Sequence, residues 1–259
     1  MKIGFLATLT LIAHLTFGQE TGSYQSDSIY KANKVKTRLW YSGTNKQLSI
    51  TTFYDREGRL IQYQLEPFID GAQRTTYYIY DFNGKLTDMV DTTRNGEPDK
   101  EKIKQLAKMG IDPNKLIKKE KNRPPFEVAK YELKYDENQL IKIIKYNPDN
   151  SIDFIDHITN NGKTKIRDNY RNEKIYRQNK SDQLTEFLKE RFYGWEVRDG
   201  KKVRWDYKFE YEFSSGILQT STRFDGQKAI ETIKYYYDSN GLLVKMEGQV
   251  PDFFEYVFY

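Results

Sequence analysis

The chain is expected to be mainly β: an antiparallel meander of hairpin repeats forming a twisted or curved open sheet, with one or two short helices in insertions. Three observations point there. The motif Y-D-x-x-G-x-L occurs at Tyr54–Leu60, Tyr80–Leu86 and Tyr237–Leu243. The stretch VRWDYKFEYEF alternates without a break, with Val203, Trp205, Tyr207, Phe209, Tyr211 and Phe213 on one face and Arg204, Asp206, Lys208, Glu210 and Glu212 on the other. The composition is aromatic rather than aliphatic, with 21 Tyr and 15 Phe but only 37% hydrophobic residues against 31% charged. Such side chains suit a pleated, half-wet surface better than a thick two-sided core.

Taken in chain order, the first element is a leader. Lys2 precedes the apolar run IGFLATLTLIAHLTFG, which predicts a secretory signal over residues 1–18 with cleavage between Gly18 and Gln19. The run is shorter than the roughly 20 residues a membrane helix needs. No later segment approaches that length, so no integral span is expected once the signal is removed. Residues 19–259 then form a single extended β-repeat domain. Loss of Lys2 from the 42 basic residues leaves 41 against 37 acidic ones, an excess too small and diffuse to imply nucleic acid. The absence of cysteine excludes disulfides and an acyl anchor on cysteine, so sheet pairing must hold the fold together.

The repeated motif reads as a hairpin turn. Asp55, Asp81 and Asp238 are placed to accept hydrogen bonds from turn amides, and Gly58, Gly84 and Gly241 to adopt positive φ in a type I turn closed by a left-handed residue. Tyr54, Tyr80 and Tyr237 then face Leu60, Leu86 and Leu243 across the strands, each pair contributing roughly 0.2–1 kcal/mol. Weaker copies start at Tyr135, Tyr146 and Phe224, and the spacing of about a dozen residues is one strand plus one turn. An insertion near 94–125 interrupts this rhythm, and DKEKIKQLAKMG within it carries Ile103, Leu106 and Ala107 at helical spacing before Gly110. The stretch 181–192 fits a helix or a strand equally. Asp199-Gly200 predicts a tight turn that folds Trp195 to Val197 back onto Lys202 to Trp205, and FFEYVFY reads as a last strand.

The motif with its preceding aromatic strand, as in TTYYIYDFNGKLTDMVDTTRNG, resembles the YD repeats of Rhs-type secreted bacterial proteins. That resemblance implies repeats that serve as scaffold in a curved sheet or shell. The chain has few units for closing a shell and no recognisable toxin domain.

Chemistry is sparse. There is no cysteine nucleophile, no G-x-S-x-G, no phosphate-binding glycine loop, and a single histidine after leader removal, His157. No cofactor and no metal is expected. Asp153, Asp156 and His157 are the one compact acid-histidine cluster, but a strand sends Asp156 to the face opposite Asp153 and His157. A solvated face there makes Asp156→Asn with His157→Gln nearly neutral for stability. DTTRNGEPD departs from a calcium loop at Thr93 and Lys102. Trp40, Tyr41 and Trp195 are candidates for stacking on sugars or a partner, although packing between strands explains them more simply. The reading is therefore an exported, non-enzymatic binding or scaffold module, periplasmic, cell-surface or secreted, whose partner is an unidentified protein or glycan. The alternatives are a carbohydrate-binding or carbohydrate-active accessory protein and, second, an outer-membrane barrel, which strands of about a dozen residues including the turn fit poorly.

Overall fold

The computed structural model describes residues 27–67, 71–97, 124–159, 162–183 and 188–259, with isolated positions between 100 and 104. A short helix, α1 (Asp27–Ala32), precedes β1 (Val35–Ser42), β2 (Gln47–Tyr54), β3 (Leu60–Leu65), β4 (Gln73–Tyr80), β5 (Leu86–Arg94), β6 (Phe126–Asp136), β7 (Gln139–Tyr146) and β8 (Ile152–Thr159). The meander continues through β9 (Thr164–Arg171), β10 (Lys174–Gln183), β11 (Lys189–Arg198), β12 (Lys201–Ser214), β13 (Ile217–Asp225), β14 (Lys228–Tyr237), β15 (Leu243–Glu247) and β16 (Asp252–Phe258). The expected signal with its Gly18–Gln19 junction, and most of the 94–125 insertion, lie outside the described residues. The ambiguous stretch 181–192 joins two strands: Ser181 to Gln183 end β10 and Lys189 opens β11, with 184–187 outside the described residues.

The expectation of an open sheet is corrected. Each strand pairs antiparallel with its sequence neighbour, and β1 pairs with β16 from Val35↔Phe258 to Ser42↔Asp252, so the sheet closes into a barrel of sixteen described strands. Closure removes two edges whose peptide groups would otherwise lack partners. It also sets Trp40 directly opposite Phe254, with ring centroids 5.4 Å apart. Few full copies of the repeat are needed, because degenerate hairpins supply the remaining strands.

The alternation sets an inner and an outer wall. Trp40, Ile50, Leu218, Tyr235, Met246 and Phe254 are buried in one inner cluster, whereas Arg204, Asp206, Lys208, Glu210 and Glu212 stand exposed on the outside of β12. Several ionic groups on the inner wall are paired, as Lys145 with Asp91 at 2.7 Å and Arg223 with Glu231 at 3.2 Å.

The three full turns share one geometry and lie at one end of the barrel. In each, the aspartate Oδ1 accepts from the amides two and four residues on: Glu57 and Arg59 at Asp55, Asn83 and Lys85 at Asp81, Asn240 and Leu242 at Asp238. Gly58, Gly84 and Gly241 have φ of 80°, 82° and 76°. A register shift beside each tyrosine–leucine pair interrupts the ladder. A tyrosine hydroxyl from the next strand pair then donates to the leucine carbonyl: Tyr80 to Leu60 at 2.9 Å, Tyr135 to Leu86, and Tyr256 to Leu243 at 2.7 Å. The motif thus links hairpins sideways as well as closing each one.

Helix α1 seals this end. Tyr30 stacks on Tyr54 with centroids 4.4 Å apart, in a buried cluster with Val35, Leu60 and Leu242. Burial pushes the hydroxyls of Tyr80 and Tyr237 up to about 12 from the usual 10. The unfolded chain therefore releases these protons first, and the stability they contribute is complete below pH 10 and lost as pH rises towards 12. Urea midpoints should fall across that window, and Tyr237→Phe should flatten the fall. A midpoint independent of pH there would contradict the burial of these groups.

Candidate functional site: an aromatic groove on the outer wall

On the outer wall, β10 presents Gln178 and Lys180, β11 presents Tyr193 and Trp195, and β12 presents Arg204 and Asp206, with Trp195 directly opposite Gln178 and Arg204. Between Tyr193 and Trp195 sits Gly194, where a Cβ would lie 2.1 Å from the Gln178 carbonyl oxygen and 2.9 Å from Cζ2 of Trp205. Only glycine lets β11 sink this far inward. The outer surface is left with a shallow groove of about 450 Å³.

The polar groups of the groove are held in place. Arg191 grips Asp206 through Nε at 2.8 Å and through Nη2, and that pairing lowers the Asp206 carboxyl below the usual range. Gln178 Nε2 donates to Asp168 Oδ1 at 2.8 Å. The Lys202 ammonium lies 4.0 Å from the centre of the Trp195 ring, and Arg191 lies 4.6 Å from that of Tyr193. Exposed cation–π contacts contribute only about 0.5–1 kcal/mol, so a ligand stacking on Trp195 displaces Lys202 at small cost.

The other sequence candidates divide between the walls. Trp40 is buried in the core, Tyr41 faces outward beside Phe253, and Trp195 alone of the three joins a groove. Asp156 points inward, where Arg167 Nε donates to it at 2.6 Å and the guanidinium lies 3.7 Å from the Phe154 ring centre. His157 points outward, 3.8 Å from Asp168. The cluster therefore does not converge, and Asp156 is not on a solvated face. Asp91, in the loop compared with a calcium site, pairs with Lys145 and accepts from Tyr131 at 2.8 Å. Among the described residues, no group of three or more acids and histidines is arranged to hold a metal ion.

A second unusual feature is Arg38, 1% exposed on the inner wall. Its Nη1 donates to the Tyr30 hydroxyl at 3.0 Å, while Nε and Nη2 have no hydrogen-bond acceptor among the described residues. Burial raises the hydroxyls of Tyr54 and Tyr256 well above the ordinary phenol range, so neither supplies negative charge at neutral pH. The rings of Tyr30 and Phe254, 5.9 and 5.6 Å from Cζ, stand where a counter-ion is usual. Arg38 and Gly194 both escaped the sequence reading, because neither sits in a recognisable pattern.

No family model matches the chain, and no curated protein matches it either. Among solved structures it is similar to a porin-like protein from Bacteroides uniformis ATCC 8492, at 9% identity over 87% of this chain and 98% of that one, with a TM-score of 0.37. It is also similar to a chain of the Tc holotoxin pore of Photorhabdus luminescens, at 10% identity over 84% of this chain and 15% of that one, with a TM-score of 0.15. Overlaps this loose leave the fold to be read from the strand pairing itself.

Proposed function

We propose that the protein is a non-enzymatic binding or scaffold barrel of the cell envelope whose outer wall faces water. The observation that carries this reading is the outside of β12, where five consecutive outward residues, Arg204 to Glu212, are charged and exposed. Strand β6 adds Lys130, Glu132 and Lys134 on the same wall. A Lys or Arg facing lipid at the bilayer midplane costs about 2–4 kcal/mol, so several on one wall weigh heavily against full immersion. Part of the inner wall is a buried aromatic and aliphatic cluster, and the rest carries buried polar side chains and ion pairs such as Asp156 with Arg167.

A second reading, an outer-membrane barrel, is favoured by closure of the ring and by one sector of the outer wall. There Thr51, Gln64, Thr75 and Thr92 align in register, with the Glu66 carboxylate accepting from Thr51 and Gln64 at one edge, and Tyr77 and Ile79 are exposed beside them. No helix among the described residues is long and apolar enough to cross a membrane, a fact that leaves strands out of account. Cells expressing the chain with its leader separate the two readings. Release into the soluble envelope fraction and a single species in detergent-free buffer are expected. Retention in the membrane pellet after carbonate washing, with extraction only by detergent, would establish the second reading instead.

A further inference from the structure

We infer that the groove between β10, β11 and β12 is a saccharide-binding site, in which Tyr193 and Trp195 stack against sugar rings while Gln178, Lys180, Arg204 and Asp206 hydrogen-bond to hydroxyls. The inference rests on the outer wall being in water. Tyr193 and Trp195 stand two residues apart on one face of a strand, about 6.5–7 Å from each other along its axis. Two rings spaced this way form a short platform rather than a single contact. Both rings are half-buried, which fixes their orientation while leaving surface to stack on. Gly194 makes the platform concave, since β11 sinks where a side chain would hold it out.

The rim suits hydroxyl groups, each of which is both donor and acceptor. Lys180 and Arg204 donate, Asp206 accepts, and the Arg191 grip orients Asp206 before any ligand arrives. Lys180 and Arg204 border the groove together with Asp206 and Asp225, so its lining carries both signs of charge. A protein partner needs roughly 800 Å² of its surface covered, and a groove of about 450 Å³ is closer in scale to a small-molecule site. A neutral or singly acidic oligosaccharide matches both its size and its mixed charge.

The test uses the exported chain in detergent-free buffer, titrated with cellohexaose, chitohexaose, xylohexaose and the singly acidic 3′-sialyllactose by calorimetry and tryptophan fluorescence. At least one sugar is expected to bind saturably. Trp195→Ala and Tyr193→Ala should each weaken that binding at least tenfold with an unchanged circular dichroism spectrum, while Trp195→Phe, which keeps a ring, retains most of it. No saturable binding by any of the four sugars up to millimolar concentration overturns the inference, as does binding that survives Trp195→Ala. A chain that stays in solution only with detergent fails the water-facing reading before any sugar is added, and the groove falls with it. A soluble chain that ignores all four sugars defeats the saccharide assignment alone.

Discussion

Gly58→Ala is expected to destabilise the barrel by roughly 2–5 kcal/mol, against about 1–2 kcal/mol for Gly241→Ala. Both glycines close the same turn with nearly the same φ, 80° and 76°, so left-handed strain of about 1–2 kcal/mol applies to each. Their surroundings differ. A Cβ on Gly241 meets nothing within 4 Å, whereas one on Gly58 would lie 2.3 Å from the Asp27 carbonyl oxygen and 2.7 Å from the Lys31 amide nitrogen. Those are backbone atoms of α1, which yield only if the helix shifts off the barrel end, an overpacking cost of roughly 1–3 kcal/mol more. Because α1 carries Tyr30 onto Tyr54 and Arg38, its displacement loosens the buried cluster there as well. Urea unfolding of both variants measures the difference. Equal losses at the two sites would mean that α1 does not depend on the close approach at Gly58.

The contrast between those glycines shows where sequence reasoning reached and where it stopped. Each Y-D-x-x-G-x-L unit encodes its own hairpin, because the aspartate, the glycine and the flanking pair all act within seven residues. Closure depends instead on Val35–Ser42 meeting Asp252–Phe258 across almost the whole chain. FFEYVFY was legible as a strand, but nothing local to it specifies a partner. The open sheet was the natural reading of hairpins taken one at a time, and a barrel results when both terminal strands expose matching edges. The groove illustrates the same limit. Trp195 was visible as an aromatic residue, yet its surroundings come from three strands, and the role of Gly194 depends on the Gln178 carbonyl sixteen residues earlier. Strand parity correctly separated Asp156 from His157; what it omitted was Arg167, brought opposite Asp156 by the register of β8 and β9.

Asp156→Ala is expected to cost about 3–5 kcal/mol, a large share of the stability of a domain, because it removes the carboxylate facing a buried guanidinium. Arg167 and Asp156 have side chains only 11% and 10% exposed, and Nε and Nη2 of the arginine both point at the carboxylate. Removing the acid takes away the carboxylate that both Nε and Nη2 face, and the contact with the Phe154 ring at 3.7 Å replaces only part of that loss. Replacing both members, as Asp156→Leu with Arg167→Met, removes the charge together with its desolvation penalty and should fall within about 1–2 kcal/mol of the parent. His157→Gln, on an outward side chain 40% exposed, should change stability by less than about 0.5 kcal/mol. Urea midpoints for the three variants decide the matter. If Asp156→Ala proves as mild as His157→Gln, water reaches the inner wall at this point and the pair is not a buried one. If the double replacement is as damaging as the single, the loss comes from the shape of the site rather than from an uncompensated charge.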